Sequence, residues 1–315
     1  MRKALVVGID EYPDWPLRGC ANDATMIASV VETHGDGSPN FSVRLWTSPS
    51  GVITKQKLRT AIEELFDGES DICLFYFSGH GLVKSTGGYI VTPDASRYND
   101  GISMDEILTL ANQSRARDRV IFLDCCHSGA LGNVAVIGNN MALLSEGLSV
   151  LTASRSSQSA LEVDGKGVFT SLVVDALKGG AADLRGYITP GSIYWDADQA
   201  LGAWDQRPIF KTNVAHFTSL RSITPSIPFE TLRRICVYFP ACQQEHQLDP
   251  SYEFTEKGAK PENVKIMKDL QKFAGVSLVV PVGEDHMYFA AINSKSCRLT
   301  ALGYQYWRLV NEKKL

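Results

Sequence analysis

Residues 72–81 read ICLFYFSGHG, six apolar residues running without a break into Ser78, Gly79, His80 and Gly81. A run with no apolar–polar alternation marks a strand covered on both faces, as inside a parallel sheet. A histidine between glycines just past such a strand is not a packed core residue, because the glycines remove the side chains that would enclose it. Its ring must face a loop-lined opening. The design repeats at residues 120–129, where VIFL leads into Asp124, Cys125, Cys126, His127, Ser128 and Gly129. Two further runs, ALVVGI at 4–9 and LSVLT at 148–152, read as inner strands too.

Helical spacing fills the gaps between these runs. Ala24, Ile27, Ala28 and Val31 recur at i, i+3, i+4, i+7, and Leu58, Ile62 and Leu65, then Ile107, Leu108 and Ala111, follow the same rule. Phe169 to Leu177 predicts another helix ending at Gly179-Gly180, and Pro190 suits the first turn of one running to Gly202. Alternating strands and helices make right-handed crossovers, hence an α/β layer architecture with helices on both faces of a parallel sheet.

In such a sheet, sites form in the crevice outside the carboxyl ends of the strands, where both Gly-flanked motifs lie. His80 and Cys126 are 46 residues apart, room for one crossover helix, so their strands can be neighbours. A thiol beside an imidazolium has a lowered pKa, and the thiolate is the attacking species. Composition agrees with this chemistry. The seven cysteines are odd in number and form no CxxC pair, which disfavours a disulfide framework or a zinc ribbon and leaves thiols free. With 44% hydrophobic and 21% charged residues and a net charge of −4, the chain is globular, with no global signal for nucleic acid or membrane. No run approaches a membrane span, and MRKALVVGIDEY turns acidic before a signal-peptide core develops, so the expected compartment is the cytoplasm.

YFSGHG at 76–81, DCCHSG at 124–129 and LRGCANDA at 17–24 together resemble the caspase-like cysteine peptidases of family C14, in particular the metacaspase and bacterial orthocaspase branch. The resemblance covers about residues 1–221. It implies a caspase–haemoglobinase fold with a mainly parallel six-stranded sheet flanked by helices, and cysteine endopeptidase activity. The family pattern maps the nucleophile to Cys126 and leaves Cys125 as the variable position, expected in the core. His80 handles the protons, and the backbone N–H groups of Gly81 and Cys126 are expected to form the oxyanion hole. His127 is expected to pack or hydrogen bond in the nucleophile loop. The biological setting implied by resemblance is a regulated protease of bacterial stress or antiviral defence.

The family's acidic S1 pocket, for the residue before the cut, maps to Cys20, Asp23, Ser78 and Asp124. Two carboxylates at one pocket mouth repel unless a cation enters, so Arg or Lys is favoured over Asp, Arg above all because its fork binds bidentately. Taken singly, Asp23 could be a helix cap with Asn22 and Asp124 a strand-end acceptor. Such relatives commonly use calcium, and Asp94, Asp100, Asp105 and Glu106 offer oxygen ligands, but their spacing matches no EF-hand loop and no metal ligand is assigned. Residues 130–147 contain no Lys or Arg, so an enzyme cutting after basic residues cannot process itself there. Activity as a single chain is expected, or activation by a partner protein or an upstream protease acting on this stretch. Lys166, in a DGKG turn, is the best internal cut site.

Composition shifts at SITPSIP, residues 222–228, which reads as a linker. Residues 222–315 hold 12 Lys and Arg against 10 Asp and Glu, a charge of +2 that leaves −6 to residues 1–221. This segment weakly resembles a small winged-helix-like α+β domain, expected to be regulatory or partner-binding. Without a basic stripe, protein is preferred over DNA as its partner. Tyr304, Tyr306 and Trp307 are expected to pack rather than to stack on bases. Cys236, Cys242, His246 and Cys297 lack the spacing of a zinc site. The competing reading of the whole chain is a catalytically silent caspase-like assembly module whose C-terminal domain binds protein or DNA.

Overall fold

The apolar runs line up because each has two faces to cover. The computed structural model describes residues 1–48, 53–96, 99–125, 143–153, 162–163, 166–201 and 207–315. From the amino terminus come β1 (Arg2–Gly8), α1 (Cys20–Val31), β2 (Ser42–Thr47), α2 (Lys55–Phe66) and β3 (Ile72–Ser78). A small antiparallel sheet follows, β4 (Gly81–Lys84), β5 (Gly87–Ile90) and β6 (Ile102–Ser103), then α3 (Met104–Gln113), β7 (Asp118–Asp124) and β8 (Leu148–Thr152). The short pair β9 (Glu162–Val163) and β10 (Lys166–Gly167) leads into α4 (Val168–Asp175) and a π-helical turn to Gly180. Last in this part come β11 (Tyr187–Ile188), α5 (Pro190–Ala200), β12 (Ile209–Asn213) and β13 (Arg221–Ser222).

The central sheet has six strands in the order β12-β8-β7-β3-β1-β2. All pairs are parallel except β12 with β8. The four inner strands are those the apolar runs predict. The two edges lack that signature: β2 is largely exposed, and β12 ends in Lys211, Thr212 and Asn213. Every residue of β3 is buried, its odd positions Phe75 and Phe77 in one core and its even positions Leu74 and Tyr76 in the other. The first core includes α2 and α3 residues, and the second includes residues of α1, α4 and α5. α5 starts with a capping box between Thr189 and Ser192, with Pro190 in its first turn.

Register sets the level of the site. Gly8 pairs with Ser78 and Ser78 with Asp124, so β1, β3 and β7 end in one row. A Cβ on Gly8 would fall 2.1 Å from the Cys20 carbonyl oxygen, so only glycine lets the first turn of α1 rest on the end of β1. That contact brings Asp23 over the same row.

The chain forms two compact units, Met1–Thr224 and Pro225–Leu315, dividing inside the SITPSIP stretch. The second contains α6 (Phe229–Arg233), α7 (Ile235–Tyr238), β14 (His246–Gln247), α8 (Pro261–Gly275), β15 (Val279–Val282), α9 (Met287–Ile292), β16 (Ser296–Leu299) and α10 (Ala301–Asn311). Its three-stranded antiparallel sheet runs β14-β16-β15. The composition is α+β, but β15 and β16 are joined through α9 rather than by the hairpin of a wing. Tyr306 is buried, Trp307 donates its indole N–H to the Phe239 carbonyl at 2.7 Å, and Tyr304 is exposed and stacked on Trp307. His246 is bonded at both ring nitrogens, to the Tyr238 carbonyl and the Tyr252 hydroxyl, and so is not arranged as a metal ligand. Among the described residues no helix is long and apolar enough to cross a membrane.

Candidate active site

His80 follows β3 and is held from three directions. Its backbone N–H donates to the Tyr12 hydroxyl at 3.0 Å, and that hydroxyl donates to the Val91 carbonyl at 3.2 Å. The Tyr12 ring meets the imidazole edge-on with centroids 4.5 Å apart. The third contact runs from Nε2 to the Trp15 carbonyl oxygen at 2.6 Å. A carbonyl only accepts, so Nε2 carries a hydrogen and Nδ1 is the nitrogen left for proton exchange. Gly79 is required here, since a Cβ would fall 2.5 Å from the Tyr12 hydroxyl and 2.8 Å from the Phe77 ring. Its N–H bonds the Asp124 carbonyl at 3.3 Å and ties the two motif-bearing strand ends together. Burial, above all, pushes the Tyr12 phenol up, so it stays a neutral donor.

The four expected pocket residues are all buried: Cys20, Asp23, Ser78 and Asp124. The two carboxylates converge. A Cβ on Gly167 would lie 2.4 Å from Asp124 Oδ2 and 2.8 Å from Asp23 Oδ2, so both acids face one point that only glycine leaves open. The Gly167 N–H donates to Asp23 at 3.0 Å, and the Ser78 hydroxyl lies 3.5 Å from the same carboxylate. Asp23 is therefore not a cap of α1. That duty falls to Asp10, whose carboxylate accepts the N–H groups of Cys20 at 2.8 Å and Ala21 at 3.1 Å. Asp124 Oδ2 accepts from the Thr170 hydroxyl at 2.7 Å. Since Thr170 spends its one hydrogen there, the Tyr76 hydroxyl, 2.6 Å away, must be the donor in their contact. Burial, then the charges of Asp124 and Asp23, raise the Tyr76 phenol well above its ordinary value and keep it protonated.

Gly81 opens β4 beside His80. Cys125 is buried in the core, as its apolar strand predicts. Cys126, the expected nucleophile and half of the expected oxyanion hole, lies outside the described residues, as do His127 and residues 130–142 of the linker. Gly167 is buried with its N–H on Asp23, so the bond after Lys166 is not presented as an open cut site. Three of the acidic residues considered for calcium have partners of their own. Asp100 pairs with Lys84, Glu106 with Arg59 at 2.5 Å, and Asp94 accepts the Lys55 N–H at 3.0 Å. Among the described residues no group of three His, Cys, Asp or Glu side chains could hold a metal ion.

Tyr12, Trp15 and Thr170 are absent from the residues the sequence singles out, and Tyr76 and Gly167 enter only as members of the YFSGHG and DGKG stretches. A backbone carbonyl such as that of Trp15 has no sequence signature. Gly167 had a weak one, as a glycine directly before an apolar helix.

The caspase domain, peptidase family C14, matches residues 1–216. The chain is 28% identical over 203 residues to Metacaspase-1B of Aspergillus oryzae, covering 56% of this chain and 46% of that protein. It is 28% identical over 148 residues to a "Probable protease" of a Desulfuromonadales bacterium, covering 40% of this chain and 18% of that one. The chain thus spans less than half the length of these curated relatives. Among solved structures it resembles a Geobacter sulfurreducens protein (TM-score 0.53, 18% identity, 71% of this chain and 99% of that one). It also resembles Caspase-1 of Spodoptera frugiperda (TM-score 0.51, 11% identity, 70% of this chain and 90% of that one), a likeness of fold. With its caspase domain matched over residues 1–216 and the sheet of that fold, this chain belongs to the caspase-domain family, peptidase family C14.

Proposed function

We propose that the chain is a cysteine endopeptidase that cuts after Arg or Lys. The observation that carries the specificity is the convergence of buried Asp23 and Asp124 on one point beside the strand end that bears His80. Two carboxylates held this close are stabilised by a cation between them, and a guanidinium offers donors to both. An aspartate side chain would add a third negative charge.

In the reaction, the Cys126 thiolate forms a bond to the scissile carbonyl carbon, and the carbonyl electrons move to an oxyanion held by the N–H groups of Gly81 and Cys126. As that oxyanion collapses, the C–N bond breaks and His80 Nδ1 delivers its proton to the leaving amine. Water then attacks the thioester carbonyl, losing a proton to His80, and the C–S bond breaks to release the carboxylic acid product and restore the Cys126 thiolate. The Trp15 carbonyl holds the His80 ring in this orientation by accepting the Nε2 hydrogen throughout. A role in bacterial stress or antiviral defence, and cytoplasmic location, belong to the same proposal.

The test is a panel of aminocoumarin peptides ending in Arg, Lys or Asp, with and without calcium, against the wild type, Cys126→Ala and His80→Ala. Cleavage of the Arg peptide by the wild type alone is expected. No cleavage under any condition would favour the silent assembly module, and preference for Asp would overturn the specificity.

A further inference from the structure

The acid pair accounts for one side of His80. A cleft of about 580 Å³ accounts for the other. His80 and Gly81 stand in its wall, and Pro13, Trp15, Leu82, Val91 and Pro93 supply most of its apolar lining. Its position relative to the sheet is decisive. Tyr12, in the cleft wall, belongs to the core on the α2 and α3 face, and Val91 packs against that core. The acid pair sits with Tyr76 and the start of α4, whose neighbours form the core on the opposite face. His80 therefore stands between the acid pair and the cleft, which lie on opposite faces of the sheet at one row of strand ends.

A peptide crossing this row with a basic side chain between Asp23 and Asp124 has its leaving half beside His80, because that histidine must reach the leaving nitrogen. We propose that the cleft binds the side chain of the residue that follows the cut, and that it selects a large apolar side chain there. This rests on the peptidase reading above. The lining gives the selectivity. Lys84 is already paired with Asp100, so it offers no uncompensated positive charge. Asp14, also in the lining, disfavours an acidic side chain, while the exposed Trp15 indole at 73% offers a face for an aromatic or aliphatic one. Because the Trp15 carbonyl orients His80, one residue links recognition of the leaving half to the proton donor.

The experiment compares two kinds of substrate sharing the same residues up to an Arg. One is a methyl ester, whose methanol leaving group carries no side chain into the cleft; the others are internally quenched peptides continuing with Phe, Leu, Gly or Asp. Wild type is expected to cut the Phe and Leu peptides with kcat/KM at least about tenfold above the Asp peptide. Leu82→Asp, which puts a charge in the cleft, and Ala95→Trp, which narrows it, should remove that advantage and leave methyl ester hydrolysis within about twofold of wild type. Equal wild-type rates for Phe, Gly and Asp peptides would overturn the cleft's role while leaving the peptidase reading intact, as would variants that slow both kinds of substrate alike. Absence of all cleavage by the wild type would overturn both.

Discussion

His80 and Trp15 are 65 residues apart in sequence, yet Nε2 of the first meets the carbonyl oxygen of the second at 2.6 Å. The loop that carries Trp15 is anchored by Asp10, whose carbonyl accepts the Leu17 N–H at 2.8 Å and whose carboxylate caps α1. One aspartate thus positions both the partner of the imidazole and the helix that bears Asp23.

Replacing Asp10 tests this shared dependence. Asp10→Ala removes the acceptor for two N–H groups of α1 and should lower stability by about 1 kcal/mol, read as a shift of the urea midpoint. Cleavage of an Arg peptide should suffer in both kcat and KM, because the imidazole and the acid pair loosen together. An effect on KM alone would separate the two.

Tyr12→Phe removes only the hydroxyl that braces the His80 backbone. The expected result is a kcat several-fold lower with KM unchanged, and a loss of about 1 kcal/mol in stability. Steady-state kinetics beside denaturant unfolding measures both, and an unchanged kcat would remove Tyr12 from the positioning of His80.

The acid pair gives a graded series. Gly167→Ala places a methyl 2.4 Å from Asp124 Oδ2, in the space a cation needs, and should lower kcat/KM for Arg peptides by about 100-fold or more. Thr170→Val takes the donor from Asp124 and should raise KM by about tenfold at little cost in kcat, whereas Thr170→Ser keeps the hydroxyl and should restore wild-type values. If valine and serine behave alike, the hydroxyl does not hold Asp124 in its binding orientation.

No Lys or Arg occurs in residues 130–147. Mass spectrometry of the purified wild type beside Cys126→Ala should therefore find this stretch intact in both. Cleavage there in the wild type alone would overturn single-chain activity after basic residues.

In the second unit, Asp269 accepts from the Arg234 guanidinium at 2.7 Å and the Tyr238 hydroxyl at 2.6 Å. Burial alone would raise its carboxyl, but these bonds outweigh burial and hold it below its ordinary value. A carboxylate depressed in the folded state contributes stability that is fully present above its unfolded value of about 4 and is lost as pH falls through the lower folded value. Asp269→Asn should cost about 1 to 2 kcal/mol at neutral pH, kept modest because the Arg234 side chain is 35% exposed. The gap between variant and wild type in urea midpoint should stay flat from pH 8 to about 5 and shrink below about 4. A constant gap at all pH values would mean that the charge contributes nothing.

The sequence by itself determined the four inner strands, the helices between them and the two motifs at strand ends, because buried strands and amphipathic helices are written in local apolar spacing. Asp23 and Asp124 came only from the resemblance of their motifs to a family, and the fold brings them together over a separation that no local pattern encodes. The tertiary structure alone decided the rest. The edge strands β2 and β12 form because a neighbour offers hydrogen bonds, not because their own residues demand it. Trp15 holds His80 through a backbone carbonyl, a group every residue possesses. Gly167, 144 residues from Asp23, and Thr170, 46 from Asp124, reach the acid pair only because α4 starts where β1, β3 and β7 end.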